Sequence, residues 1–166
     1  FWMFFDLMNE NPKEEQIQFY YYATFSNALR IKKLETAIEV GKAYRSKFPK
    51  GDFYSDITVA LVSALRQSGD KVECVQIAKE FLDNYPLEPA CNNLLLIWAS
   101  HLMEHQQFKE LIQQASRWLD RHTDPLFEDG LYYWRGIGEL QSSQFPNAVK
   151  SFDGLLKKFP TSVYAE

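Results

Sequence analysis

The stretch "HLMEH", His101 to His105, sets two histidines and a glutamate at H-x-x-E-H spacing. On a helix, residues four apart share a face, so His101 and His105 would present two imidazoles to one zinc ion. Glu104 would then take a proton from a metal-bound water, the chemistry of a zinc-dependent hydrolase. The competing reading is structural. The stretch closes a helical run and enters the polar turn "EHQQ", where such residues are expected in any case. Nothing flanking it resembles a zinc protease.

No second catalytic set stands out. The chain has no G-x-S-x-G, no phosphate-binding glycine loop, no dinucleotide pattern and no nucleophile beside a base. Cys74 and Cys91 form no CxxC pair and read as small buried apolar residues. Asp83, Glu88, Asp124, Glu128 and Asp129 gather near the turns and read as a solvated rim. The residues call for no cofactor and no resident metal, and the chain reads as a non-enzyme.

Composition narrows the class further. With 46% apolar and 16% aromatic residues, the 166-residue chain has material for a packed core and is far from a disordered composition. A net charge of −4 disfavours phosphate backbones and anionic surfaces, so nucleic acid is excluded as a natural partner. No run approaches the roughly 20 apolar residues of a spanning helix. The opening "FWMFFDLMN" is interrupted by Asp6 and lacks a basic leader, so it reads as a core helix fragment and not as the remnant of a signal peptide.

The elements that would position any site follow from a repeat. Positions 12, 49, 86, 123 and 160 are 37 apart and hold Pro12, Pro49, Pro86, Thr123 and Pro160. Just before the last four stand the flat rings Phe48, Tyr85, His122 and Phe159. A fixed period of this length is the mark of stacked repeats. His122 in that column reads as a packing ring with one hydrogen bond.

Each unit divides into two runs of helical periodicity. In the second unit, Ile57, Ala60, Leu61, Ala64 and Leu65 form one stripe over about 53–67, "SGD" breaks it, and Val75, Ala78, Phe81 and Leu82 form the next over 71–85. Leu94, Leu95, Trp98 and Leu102, then Phe108, Leu111, Ala115, Trp118 and Leu119, repeat the layout in the third. In the fourth, Tyr133, Trp134, Ile137 and Leu140 precede "QSSQ" and a run from Pro146 to Lys158. Arg135 and Glu139 at i and i+4 predict an exposed ion pair, and Gly136 and Gly138 predict close helix approach. The first unit carries "FYYYATF", Phe19 to Phe25, predicted as core on two faces, with one ring at a groove as the sharper alternative. The chain is thus expected to be all-α, about four antiparallel helix pairs at 12–48, 49–85, 86–122 and 123–159. Residues 1–11 align with the second helix of a preceding repeat, and 160–166 open the first helix of a next. The expectation is one domain cut from a longer array with uncapped ends.

These residues resemble the tetratricopeptide repeat family. Gly136, Phe145, Ala148, Phe152 and Pro160 match its small residue, aromatic, alanine, aromatic and closing proline. Gly69, Asp70, Cys74, Ala78 and Pro86 sit at comparable offsets, while Ala37 and Leu111 hold the Cys74 position in the first and third units. The period with "FPKGDFYSD" and "FPTSVYAE" is similar to the variant of bacterial cell-envelope proteins, the Tol-Pal coordinators and outer-membrane assembly lipoproteins. Bulky Phe81, Trp118 and Leu155 point the same way. The resemblance implies a right-handed superhelical solenoid whose first helices line a concave face. It places Tyr22, Val59, Ser63, Arg66, Gln67, Leu96, Ser100 and Met103 on that face as partner-binding residues. It also implies a periplasmic or envelope location, although the residues themselves leave the cytoplasm open. The function expected is a non-catalytic scaffold binding a protein or peptide partner. The alternatives are the zinc hydrolase of His101, Glu104 and His105, or a spacer that self-associates through its ends.

Overall fold

The structure is a computed structural model and describes residues 13–165. Eight α-helices and no strands occur among them. They are α1 Glu14–Arg30, α2 Leu34–Lys47, α3 Tyr54–Ser68, α4 Lys71–Asn84, α5 Cys91–Glu104, α6 Phe108–Arg121, α7 Glu128–Gln141 and α8 Phe145–Lys158. The expected helix at 1–11 lies outside the described residues.

The sequence beat reappears in the helix starts. The second helices begin at 34, 71, 108 and 145, and first helices at 54, 91 and 128, each 37 from the last. The turns inside the pairs keep the same beat. Lys32, Gly69, Gln106 and Ser143 all have positive φ, at 59°, 90°, 55° and 59°. A left-handed residue lets the chain reverse while a 6→1 bond closes the helix end. That bond runs from Lys33 N to Ala28 O at 2.9 Å, from Gln107 N to Leu102 O at 2.8 Å and from Gln144 N to Glu139 O at 2.8 Å. Only "SGD" spends a glycine there. Where φ is positive, a Cβ costs roughly 1 kcal/mol, and three of the four turns accept it.

The chain divides into two compact units, Phe1–Ile77 and Ala78–Glu166. In the first, α1, α2 and α3 pack in order, and α1 also touches α3. Phe25, Ala28, Ala37, Tyr44, Ile57 and Leu61 are buried. Tyr21 meets the edges of Tyr44 and Phe48 at ring centroid distances of 6.1 and 5.8 Å. The buried Tyr44 hydroxyl donates to Gln18 Oε1 at 2.8 Å and accepts from Phe53 N at 3.1 Å. "FYYYATF" therefore divides by face: Phe25 is in the core, Tyr20 to Tyr22 are half-buried and Phe19 is 56% exposed.

In the second unit, α5 touches both α6 and α7, and α7 packs against α6 and α8. Trp98 and Trp118 meet edge to face at 4.8 Å, and Phe127 meets Trp118 at 6.0 Å. The position shared by Tyr44, Phe81, Trp118 and Leu155 is fully buried in every repeat. Its two polar rings each use their polar end: Tyr44 on Gln18, and Trp118 through an indole N–H donated to Asp83 at 2.7 Å.

Two expectations are corrected. Arg135 and Glu139 do not form an exposed pair: their side chains are 21% and 8% accessible and 3.9 Å apart. Helix α8 brings Ser151 between them, its hydroxyl donating to Glu139 at 2.6 Å and accepting from Arg135 Nε at 3.0 Å. The acidic rim is only partly solvated. Asp124 is exposed, but Glu128 is buried and takes two bonds from Lys158 at 2.7 and 2.8 Å. Asp83 likewise serves Lys79 and Trp118, both at 2.7 Å. Gly136 and Gly138 behave as expected, since a Cβ would stand 2.7 Å from Phe152 and 3.1 Å from Ile112 respectively.

Candidate functional site

The expected binding residues all lie on first helices: Tyr22 on α1, Val59, Ser63, Arg66 and Gln67 on α3, and Leu96, Ser100 and Met103 on α5. In the first unit Tyr22, Val59 and Ser63 are half-buried, while Arg66 and Gln67 are exposed. Tyr22 lies flat on Phe53, with ring centroids 4.4 Å apart and planes 20° apart. Helix α1 touches α3 within this unit, and Tyr22, Ser26 and Leu29 stand one period before Val59, Ser63 and Arg66. Serines alternate there with apolar side chains, and the cations Arg30 and Arg66 are exposed at the helix ends.

In the second unit Leu96 is 47% exposed, and Ser100 and Met103 are half-buried. Adding 37 to each gives Tyr133, Ile137 and Leu140 on α7, which the sequence reading did not assign to this face. Tyr133 and Ile137 are half-buried and Leu140 is 41% exposed. Tyr133 also stacks on Tyr164 at 4.8 Å and 24°, three repeats on from the Tyr22–Phe53 stack. The signal that finds these residues is the period itself.

The remaining chemical candidates are explained by packing. The His101 and His105 rings lie 4.1 Å apart at 32°, and His105 Nδ1 is 2.8 Å from the His101 carbonyl oxygen. The rings lean on each other, with one nitrogen committed to the backbone. No group of three or more His, Cys, Asp or Glu side chains that could hold a metal ion occurs among the described residues. Cys74 and Cys91 are buried and free, with sulfurs directed at the Val62 carbonyl at 3.4 Å and the Tyr85 carbonyl at 3.0 Å. Burial pushes the Cys91 thiol up to about 12, far from a reactive thiolate. His122 meets Phe127 edge to face at 6.4 Å and engages the Leu82 backbone, as its place in the aromatic column implies.

Helix pairs in this order recur in a crystal structure of a tetratricopeptide repeat protein from Parabacteroides merdae ATCC 43184. The two share 19% identity with a TM-score of 0.63 over 90% of this chain and 56% of that one. The likeness establishes the fold, and the chain spans little more than half of that protein. No curated protein matches the chain significantly. No helix among the described residues is long and apolar enough to cross a membrane. The profile of the YfiO outer membrane lipoprotein family matches residues 12–166, which is nearly all of the sequence. The chain is a member of that family, built from helix pairs of the tetratricopeptide repeat type.

Proposed function

We propose that this chain is a non-catalytic protein-interaction scaffold of the bacterial cell envelope. It would bind a partner segment along the exposed face of its first helices. The observation that carries this reading is that Leu96, Ser100 and Met103 on α5 recur one period later as Tyr133, Ile137 and Leu140 on α7, a helix that α5 touches. Leu96 and Leu140 are exposed, the other four are half-buried, and Ser100 and Tyr133 add hydroxyls. Large apolar side chains in such a setting act as anchors, and the serines suit the carbonyls of a peptide. In the first unit, Arg66 and Gln67 are the exposed polar members of the expected set. Family membership supports the envelope location.

The test is photocrosslinking in the envelope of the source bacterium. A photoreactive residue at Leu96 or Met103 is expected to capture the same partner segment, and one at exposed Lys109 on α6 is expected to miss it. Against that purified segment, Leu96→Glu and Arg66→Glu should each weaken binding at least several-fold with an unchanged melting temperature. Unfolding of these variants would show that the face is assigned wrongly. Equal capture from Lys109 would remove the reading altogether.

A further inference from the structure

Lysine and arginine are distributed unevenly among the four intra-pair turns. In the first unit these turns are "RIKK", Arg30 to Lys33, and "RQSGD", Arg66 to Asp70. In the second unit they are "EHQQ" and "QSSQ", with neither lysine nor arginine. A cation suits the carbonyl end of any helix. All four first helices present that end to a turn, so the dipole alone does not explain why only two of them receive one. The fold closes these turns equally well with glutamine, as the bonds from Gln107 N and Gln144 N show.

Arg30, Lys32, Lys33 and Arg66 are all exposed. None of them forms a salt bridge among the described residues, whereas Lys42, Lys79, Arg135 and Lys158 each meet a carboxylate. Arg30 donates to the neutral side chain of Asn27 at 2.8 Å. The acids nearby serve helix starts: Asp70 accepts from Glu73 N at 3.1 Å, and Glu35 stands in the first turn of α2. Helices α1 and α3 end on one edge of the first unit, because α2 carries the chain back between them. The four cations therefore gather at that edge. Val72, in the first turn of α4 and 76% exposed, joins them there.

We propose that this edge of the first unit docks on an anionic phospholipid surface. The cations sit at the tips of turns and not in a groove, which suits a flat layer of phosphates better than a single extended segment. Val72 gives the edge an apolar side chain for the headgroup region, and each lysine or arginine near such a surface adds to the attraction. The chain total of −4, which disfavours anionic surfaces on sequence grounds, is not what such a surface meets. Screening over about 10 Å at 0.1 M salt lets the local charge decide. Four cations and one apolar side chain make a weak, salt-sensitive contact that orients the chain at a bilayer without anchoring it. The inference rests on the envelope location proposed above and not on the partner face. Arg66 belongs to both surfaces, so the test leaves it unchanged.

Co-sedimentation of the full chain with lipid vesicles at low salt tests this. Phosphatidylcholine vesicles containing about one-third phosphatidylglycerol should bind the chain at least several-fold better than phosphatidylcholine alone, and added salt should remove most of the difference. Lys32→Glu with Lys33→Glu should abolish the difference with unchanged circular dichroism. Lys150→Glu with Lys157→Glu makes the same change in net charge at exposed positions of α8 and should leave binding intact. Val72→Ser should weaken binding with no change in charge. Equal loss in the two double variants would show that only total charge matters, and would overturn the proposal. Equal binding to both kinds of vesicle, or binding to neither, would overturn it as well. Polyglutamate binding as tightly as the anionic vesicles, with Val72→Ser without effect, would assign the edge to an acidic protein segment instead. Capture of the partner segment from Leu96 should be the same in the Lys32→Glu, Lys33→Glu chain, so failure of the lipid contact leaves the scaffold reading standing.

Discussion

Trp118 donates its indole N–H to the Asp83 carboxylate at 2.7 Å across 35 residues of sequence, joining α6 to α4 within the second unit. Burial alone would raise the Asp83 pKa. Hydrogen bonds from Lys79 and Trp118, with the nearby Lys79 and Arg121 charges, outweigh it and hold the carboxyl below its ordinary 3.8. A depressed carboxylate contributes stability that is present above the unfolded value, near 4. That stability is lost as pH falls through the folded value. Trp118→Phe removes the donor and, because Trp118 is fully buried, leaves a cavity where the second ring stood. Urea denaturation should show a loss of about 2–4 kcal/mol at pH 7, of which about 1 kcal/mol is the hydrogen bond after allowance for partial exposure of the carboxylate. The gap between the two proteins should narrow below pH 4.

His122 sets a second pH window. Burial lowers its pKa first and the Arg121 charge lowers it further, against the raising effects of Asp83 and the Leu82 backbone. Its Nε2 is buried without a partner among the described residues, so a proton there would gain no acceptor. The neutral ring is thus the folded form. Its stability is fully present above the unfolded value of about 6.5 and is lost as pH falls through the lower folded value. Melting temperatures between pH 7.5 and 5 should fall for the parent. They should fall less for His122→Phe, which installs the ring found at Phe48 and Phe159.

The four intra-pair turns predict opposite signs for one kind of exchange. Lys32→Gly, Gln106→Gly and Ser143→Gly should each stabilise by about 0.5 kcal/mol. Relief of the positive φ exceeds the added freedom of the unfolded chain. Gly69→Ala, at φ 90° with open space around it, should cost about 1 kcal/mol through backbone strain alone. Denaturation midpoints of the four variants check both signs.

Gly136 is limited by contact and not by backbone conformation. A Cβ there would lie 2.7 to 3.0 Å from three atoms of the Phe152 ring. Gly136→Ala should therefore cost about 1–3 kcal/mol. Adding Phe152→Leu should recover part of the loss, as expected for two groups that compete for one space. A double-mutant cycle measures that coupling.

The period of 37, the helix pairs and most helix boundaries were legible in the chain. The predicted runs 53–67 and 71–85 are observed as Tyr54–Ser68 and Lys71–Asn84. These features are local. Apolar spacing of three and four, a turn signal and a ring before a proline each need only a short window to be read. The expected binding residues on α3 and α5 came instead from the family resemblance, and the positions one period after those on α5 are Tyr133, Ile137 and Leu140.

Sequence alone thus determined the repeat, the helix order and the all-α class. Only the tertiary structure decided which polar groups are withdrawn from water and what they meet: Trp118 with Asp83, Glu139 with Ser151, Glu128 with Lys158. The physical reason is that such pairs depend on the offset and tilt between helices. Bulky rings at the interfaces set that geometry, and no fixed sequence spacing records it. Left-handed turns at Lys32, Gln106 and Ser143 belong with them, because the tight reversal between packed helices imposes a conformation that those side chains would not choose.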